Sequence, residues 1–330
     1  MDKMETCGVE VSARELVVAL GEERGGTRLR RFANSAVGHR ALLRMLRRVG
    51  KVRVVLEATG LYGLDVAIAL SAAEGVEVMV ANPRAVRNFA QAMMRRSKND
   101  QLDAVVLREF AARMPFLAWA PPTEKQLELW SIARRLEALT AQRAAEKNRL
   151  HAAGLSHAVP TVVRREITNS LRFIERSIAR LQKEAQRIIA ADAELQRRYE
   201  LLCTIPGVGA VSAIHTLGEL VLLPKDRDVR QWVAYAGLDP RECSSGSSVR
   251  KRVRISKVGN GHLRRALYMP ALVASRRQPQ VREFYERLQK RGKNKPQALM
   301  AVARKLLHAI YGMFRTGTPF DGRLLFASTC

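Results

Sequence analysis

The sequence predicts an α/β N-terminal domain, a helical coiled-coil arm and a mainly α C-terminal domain. Three patterns indicate this organisation. Short β-rich runs alternate with helical stretches over residues 1–120, heptad patterns of apolar residues fill residues 121–198, and short helices punctuated by glycine and proline follow over residues 199–330. A chain of 330 residues is also longer than one ordinary hydrophobic core, so two or three domains are expected.

The best strands of the N-terminal domain are two runs rich in valine. They cover residues 52–59 and 76–80, and helical stretches lie around them. Strands that alternate with helices are typical of an α/β domain.

The middle of the chain carries apolar residues at steps of three and four, with charged residues between most of them. They stand after Pro121-Pro122 at Leu129, Ile132, Leu136 and Leu139, and after Pro160 at Ile167, Leu171, Ile174, Ile178, Leu181, Ala185 and Ile188. This spacing predicts two helices with a continuous apolar seam. The seam is explained either by a coiled-coil arm used for dimerisation or by an antiparallel helical hairpin within one chain, because heptads alone do not fix the number of partners.

The charge of the chain favours a polyanionic partner. There are 57 lysines and arginines against 31 acids, a formal net charge of +26. Such an excess binds phosphates and releases their counterions, so nucleic acid is the expected partner. A membrane surface is disfavoured because the charge is spread along the chain and no apolar run is long enough to span a bilayer.

The termini and cysteines indicate a reducing compartment. The first residues, Met1 to Glu5, carry acids and do not form a secretory signal, so a cytoplasmic protein is expected. The four cysteines, Cys7, Cys203, Cys243 and Cys330, have no CxxC spacing, and we expect them to be reduced and not bound to zinc.

Four acidic residues of the N-terminal domain are candidate metal ligands. Glu10 and Glu57 each lie in a run that otherwise favours burial, and a buried acid needs a cation or a partner. Asp100 and Asp103 are three residues apart and share one face if a helix starts there. Four converging carboxylates suit a hard divalent cation. The simpler alternative is that Asp100 and Asp103 are a helix N-cap and a first-turn acid.

A basic segment over residues 241–265 is expected to be a loop facing phosphates. It holds eight lysines or arginines and one glutamate. The candidate nucleic-acid contacts are Arg250, Lys251, Arg252, Arg254, Lys257, Arg264 and Arg265. The segment also offers Ser244, Ser245, Ser247 and Ser248, and spacing alone does not choose a nucleophile among them. A flexible loop whose serines only donate hydrogen bonds to phosphates explains the same composition.

Motifs in both halves of the chain resemble the insertion-sequence-110 family of transposases. Those similar to its RuvC-like DEDD domain are Gly8-Val9-Glu10-Val11-Ser12, Leu56-Glu57-Ala58-Thr59-Gly60, Asn82-Pro83 and Asp100-x-x-Asp103-Ala104. Those similar to its second transposase domain are Ile205-Pro206-Gly207-Val208-Gly209, Ala236-Gly237-Leu238-Asp239-Pro240, Ser245-Gly246-Ser247-Ser248-Val249-Arg250 and Ser256-Lys257-x-Gly259.

The resemblance implies a RuvC/RNase H-like catalytic domain and an RNA-guided DNA recombinase. It assigns Mg²⁺, or Mn²⁺, to Glu10, Glu57, Asp100 and Asp103, and it makes Ser245 the nucleophile of a phosphoserine intermediate. It also implies target and donor DNA, a structured noncoding bridge RNA, a homo-oligomer built as a dimer of dimers, and association with the bacterial nucleoid. One departure concerns Glu10, since the family usually has aspartate there.

Two other functions fit parts of the sequence. A metal-dependent junction-resolving nuclease would use only the four acids, with water as the nucleophile. A nucleic-acid-binding relative without turnover would keep the fold and the charge alone. Tyr62, Tyr235 and Tyr268 lack the Arg/His setting of tyrosine recombinases and are expected in the core or at an interface.

Overall fold

A five-stranded mixed sheet organises the N-terminal part of the chain. The computed structural model describes residues 4–21, 26–58, 60–94, 99–224, 226–245 and 249–326. The strands are β1 (Glu5–Val11), β2 (Glu15–Gly21), β3 (Thr27–Ala33), β4 (Val52–Glu57) and β5 (Val76–Ala81), in the spatial order β3-β2-β1-β4-β5. β1 pairs antiparallel with β2 and parallel with β4, β2 pairs antiparallel with β3, and β4 pairs parallel with β5. The two expected strands are thus confirmed as β4 and β5.

Helices cover both faces of this sheet, which confirms the α/β prediction for this part. They are α1 (Ala36–Val49), α2 (Leu64–Ser71), α3 (Pro83–Ala92) and α4 (Asp100–Arg113), with a short 3₁₀ helix at Gly60–Gly63. Side chains alternate along a strand. One face buries Val9 and Val54 with Leu42 of α1, and the other buries Val55 with Leu107 of α4.

Gly8 allows the backbone of α4 to contact the backbone of β1. A Cβ atom on Gly8 would lie 2.1 Å from the carbonyl oxygen of Ala104 and 2.3 Å from the amide nitrogen of Arg108. Because neither atom belongs to a flexible side chain, any larger residue at position 8 must push the helix away from the strand. The contact therefore fixes the height of α4 above the sheet.

The two predicted long helices are confirmed as α5 (Glu124–Leu155) and α6 (Thr161–Ala190). They pack against each other as a hairpin within one chain, because only residues 156–160 connect them. A Lys147 to Glu175 ion pair of 3.6 Å joins them partway along their length. The coiled-coil arm is not confirmed, since the apolar seam pairs within the chain, and dimerisation through this hairpin stays a prediction.

The remaining elements surround the base of this hairpin in the second of the two compact units, residues 122–330. They are α7 (Ala193–Cys203), α8 (Ala210–Leu220), α9 (Val229–Ala236), β6 (Pro240–Ser245), β7 (Val249–Ile255), α10 (Gly261–Arg277), α11 (Pro279–Lys290), α12 (Lys295–Thr316) and α13 (Gly322–Phe326). Their shared core includes Leu129 of α5, Ile188 of α6 and Leu217 of α8. This unit is mainly helical, as predicted. The division at residues 121 and 199 into three domains stays a prediction.

The expectation of a loop over residues 241–265 is wrong for most of the described part. β6 and β7 form an antiparallel hairpin, and α10 begins at Gly261. The physical reason is the recurrence of Val249, Val253 and Ile255 at even spacing, which favours an extended strand despite the intervening arginines. Among the helices described, none is both long and apolar enough to cross a membrane.

Candidate active site

Glu10 and Glu57 lie side by side on neighbouring parallel strands. The pairing of β1 with β4 runs up to Val9 opposite Leu56, and each acid is the next residue along its strand. Adjacent strands are about 4.8 Å apart. Both acids are half-buried at the carboxyl ends of their strands.

The two glutamates share the face of the sheet that α4 covers. Glu10 is two residues after Gly8, which touches α4, and Glu57 is two residues after Val55, which packs on Leu107 of α4. Side chains two residues apart in a strand point to the same side. The sheet therefore presents both carboxylates toward this helix.

The direction of α4 brings Asp103 to the same corner. Ala104 lies over Gly8, and beyond the helix Phe116 packs 5.0 Å beneath the guanidinium of Arg53, near the amino end of β4. The helix thus runs antiparallel to β1, with its first turn at the carboxyl ends of the strands. Asp103, half-buried, immediately precedes Ala104 and so lies in the part of α4 nearest the carboxyl ends of the strands.

Asp100 is exposed at the start of α4. The N-cap is Asn99, whose side-chain oxygen accepts a hydrogen bond of 2.8 Å from the Leu102 amide. The simpler interpretation of Asp100 as the cap is therefore wrong. Both aspartates are first-turn acids, a position that the helix dipole favours whatever their function.

The topology places Glu10, Glu57 and Asp103 at the same end of the sheet, but their side chains do not form a complete set of metal ligands. Within the described ranges, no group of three or more His, Cys, Asp or Glu side chains is arranged to hold a metal ion. The donor set itself fits a hard divalent cation, since carboxylate oxygens are the ligands that Mg²⁺ prefers. The metal-ligand role of Glu10, Glu57, Asp100 and Asp103 stays a prediction.

Ser245 is the last residue of β6 and pairs with Val249 across the hairpin. The backbone therefore carries it to the end of β6 farthest from the hairpin base at Pro240. Ser247 and Ser248 lie outside the described residues, as do the side chains of residues 243–252. Ser245 and the acids belong to different units, so the role of Ser245 stays a prediction.

The predicted nucleic-acid contacts fall into two groups. Arg250, Lys251, Arg252 and Arg254 follow one another along β7, and Lys257 stands in the turn after it with a φ of +53°. Arg264 donates a 2.7 Å hydrogen bond to the carbonyl oxygen of Ala236, and burial lowers its pKa. Arg265 forms an ion pair with Glu137. These last two contact protein groups here, and their binding of nucleic acid stays a prediction.

A set of polar residues behind the β6–β7 hairpin was not predicted from the sequence. Glu137 of α5 accepts hydrogen bonds from His262 and Arg265, and Glu219 of α8, buried to 3% exposure, pairs with Arg134. A glutamate inside the apolar run of α8 was the available signal, since such a charge requires a partner.

The tyrosines divide between buried and exposed positions. Tyr235 is half-buried, and its hydroxyl accepts a 3.0 Å hydrogen bond from Asn260. Tyr62 and Tyr268 are 59% and 45% exposed. A core position is therefore wrong for these two, and an interface role stays a prediction.

Comparison with known proteins identifies two transposase regions. Residues 7–160 match the family of DEDD transposases of the IS110 type, and residues 199–286 match the family described as "Transposase IS116/IS110/IS902 family". These matches contain the four acids and Ser245 respectively.

Individual relatives agree with the family matches. The chain is similar to the pilin gene-inverting proteins of Moraxella bovis and Moraxella lacunata, each 30% identical over 274 residues, which are 83% of this chain and 83% of the relative. It is also similar to the transposase for insertion sequence element IS1328 of Yersinia enterocolitica, 28% identical over 227 residues, 62% of this chain and 65% of that protein. The predicted resemblance is confirmed: the chain belongs to the IS110 family of transposases and is a DNA-recombining enzyme.

Proposed function

We propose that this transposase cuts and rejoins DNA through a phosphoserine intermediate on Ser245, with a divalent metal ion held by acids of its N-terminal unit. The observation that carries the proposal is the shared corner of Glu10, Glu57 and Asp103, reached from two strands and one helix. Asp100, one turn from that corner, completes the proposed ligand set. The mixed sheet covered by helices supports a RuvC/RNase H-like assignment for this unit.

The four acids would hold the metal ion in this proposal. Bound Mg²⁺, or Mn²⁺, would supply charge neutralisation of the carboxylates and polarisation of a substrate phosphate. The strand backbone fixes Glu10 and Glu57, while the contact at Gly8 fixes the height of Asp103 above them. The substrate phosphate would then bind beyond the carboxyl ends of the strands.

Ser245 attacks the phosphorus atom through its hydroxyl oxygen. The serine O–P bond forms, the P–O bond to the leaving sugar oxygen breaks, and the proton lost by the serine is balanced by one gained by the leaving oxygen. Arginines of β7, the strand paired with the one that ends at Ser245, would stabilise the negative charge on the transferring phosphate. Attack by a sugar hydroxyl of another strand reverses these steps, which releases the serine and reseals the DNA.

The name of the Moraxella relatives favours this recombinase over a nuclease. Inversion of a gene requires strands to be cut and rejoined, and a covalent intermediate conserves the phosphodiester energy between these steps. A nuclease with water as nucleophile leaves free ends that it does not rejoin.

We further propose that target and donor DNA are selected by a structured bridge RNA, held by a homo-oligomer arranged as a dimer of dimers. The net charge of +26 supports a large nucleic-acid partner, since each neutralised phosphate releases counterions. The guide would read sequence by base pairing while the protein contacts backbones.

The experiment is a trap for the covalent adduct. The purified protein, its guide RNA transcribed from the DNA flanking the gene, Mg²⁺ and labelled donor DNA are mixed, denatured and resolved on a gel. We expect a protein–DNA adduct that is lost in Ser245→Ala and in Asp103→Ala but retained in Ser244→Ala, the matched control. Cleavage that persists in Ser245→Ala without an adduct would establish the nuclease instead. Cleavage that is unaffected by Asp103→Ala would show that this acid has no part in the reaction.

A further inference from the structure

A polar cluster around the buried Glu219 lies behind the base of the β6–β7 hairpin. It consists of Arg134, Glu219, Tyr235 and Asn260, and we call it the clasp. The Glu219 carboxylate is buried and accepts from Arg134, with 3.0 Å between Nη2 and Oε2, and from Asn260, with 2.6 Å between Nδ2 and Oε2. A buried charge is stable only while such partners surround it, so losing one of them is costly.

Asn260 joins three helices through one side chain. Its Oδ1 accepts from the amides of His262 and Leu263, at 2.9 and 3.1 Å, and so caps α10. Its Nδ2 donates to Glu219 of α8 and, at 3.0 Å, to the hydroxyl of Tyr235 in α9. Arg134 adds α5 to the same cluster. The start of α10 is therefore tied to α5, α8 and α9.

The clasp continues into both legs of the hairpin. The amide of Asn260 donates to the carbonyl oxygen of Tyr235 at 2.6 Å, and that of Ser256 donates to the carbonyl oxygen of Asp239 at 2.8 Å. The Ser256 hydroxyl also donates to the Asp239 carboxylate at 2.5 Å. Gly259, at a φ of +109°, makes this crossing possible, because a Cβ atom there would lie 2.3 Å from the Tyr235 carbonyl oxygen. The two segments that connect the hairpin to the helical core are therefore hydrogen-bonded to each other before β6 begins and after β7 ends.

We infer that the clasp aims the nucleophile, with Glu219 and Asn260 as positioning residues for Ser245. This rests on the proposed function of Ser245. Five residue steps separate Pro240 at the base from Ser245, about 17 Å at the rise of an extended strand. A tilt of roughly 3° at the base therefore moves Ser245 by about 1 Å, a displacement that can reduce a reaction rate about 100-fold. A strand of this length keeps its end in place only if its base has few alternative arrangements. The hydrogen bonds gathered on the buried Glu219 carboxylate favour one arrangement.

The test separates aiming from stability. Glu219→Gln keeps the shape of the side chain but removes its charge, and Asn260→Ser keeps a good helix cap but removes the amide donor. Leu202→Ala is the matched control: it removes buried side-chain volume from α7, which packs against α6, α8 and α12. Thermal denaturation, the dissociation constant for donor DNA, the single-turnover rate of adduct formation on saturated protein, and amide hydrogen exchange across residues 240–255 are measured for each.

For both clasp variants we expect an adduct rate reduced roughly 100-fold, DNA affinity within about threefold of wild type, and faster exchange of the hairpin amides. Leu202→Ala should lower the melting temperature while keeping the adduct rate and the hairpin exchange of wild type. The inference is overturned if the clasp variants lose no more rate than Leu202→Ala, or if hairpin exchange does not change. Should Glu219→Gln not fold, Tyr235→Phe removes only the hydroxyl acceptor and provides the same comparison.

The two measurements distinguish a wrong nucleophile from a wrong role for the clasp. Hydrogen exchange reports the clasp whether or not Ser245 reacts, whereas an adduct that survives Ser245→Ala refutes the proposed function alone.

Discussion

Replacing Gly8 with alanine tests whether a single backbone contact sets the spacing of the proposed metal ligands. The added Cβ would lie 2.1 Å from the Ala104 carbonyl oxygen, and real Cβ contacts under 3.0 Å essentially do not occur. Relief therefore requires α4 to move by about 1 Å, and Asp103, the preceding residue, moves with it. Overpacking of this kind costs about 1–3 kcal/mol of folding free energy. A ligand misplaced by about 1 Å can cost about 100-fold in rate.

The assay combines thermal denaturation with Mg²⁺-dependent strand cleavage by the full-length protein. Gly312→Ala is the matched control, because the same methyl group added within helix α12 meets nothing within 4 Å. Removing a helix glycine should stabilise the fold by about 0.5–1 kcal/mol without changing cleavage. If Gly8→Ala melts and cleaves like wild type, α4 does not set the geometry of the acids and the reasoning is refuted.

Three further predictions follow from particular residues. Glu10→Asp should change strand cleavage by less than about tenfold, because both side chains offer hard oxygen ligands; a larger gain would indicate an impaired site. Burial acts to raise the pKa of Glu137, but hydrogen bonds from Arg265 and His262 lower it overall. The ionised Glu137 side chain therefore stabilises the fold at pH values above its ordinary pKa, and this contribution is lost as the pH falls through the lowered pKa. The stability deficit of Glu137→Gln, followed by chemical denaturation, should therefore be present at pH 7 and shrink below about pH 4; a pH-independent deficit would contradict this. Burial raises the pKa of Cys7 to about 12, so iodoacetamide at pH 8 should alkylate the exposed Cys203 well before Cys7, as peptide mass spectrometry would record, and equal labelling would contradict the burial.

The sequence predicts local structure best where burial repeats with a clear period. The valine-rich runs that became β4 and β5 and the heptads of α5 and α6 have such periods. Heptads do not reveal which helix supplies the partner face, so the choice between an arm and an intrachain hairpin needed the structure. β7 was missed because arginines interrupt its β-branched residues and obscured the strand signal.

The candidate site was predictable to the extent that its signals are local. Glu10 and Glu57 were found because each is an acid in a strand-like run, and their adjacency then follows from strand pairing. The clasp was not found, since Glu219 lies 85 residues from Arg134 and 41 from Asn260. No spacing rule connects such residues; only the packing of α5, α8 and α10 brings them together.

The contact at Gly8 bears on how Glu10 is accommodated in β1, at a position where the family usually has aspartate. The two residues share a face, so the approach of α4 at Gly8 also limits the gap between Glu10 and the first turn of that helix. An extra methylene at position 10 places the carboxylate farther from the strand backbone than an aspartate would. The strand that carries the substitution is held on both sides by β2 and β4, so its backbone cannot shift to offset the added length. In our proposal the exposed Asp100, at the start of α4, is the ligand with the most freedom to accommodate the longer Glu10 side chain.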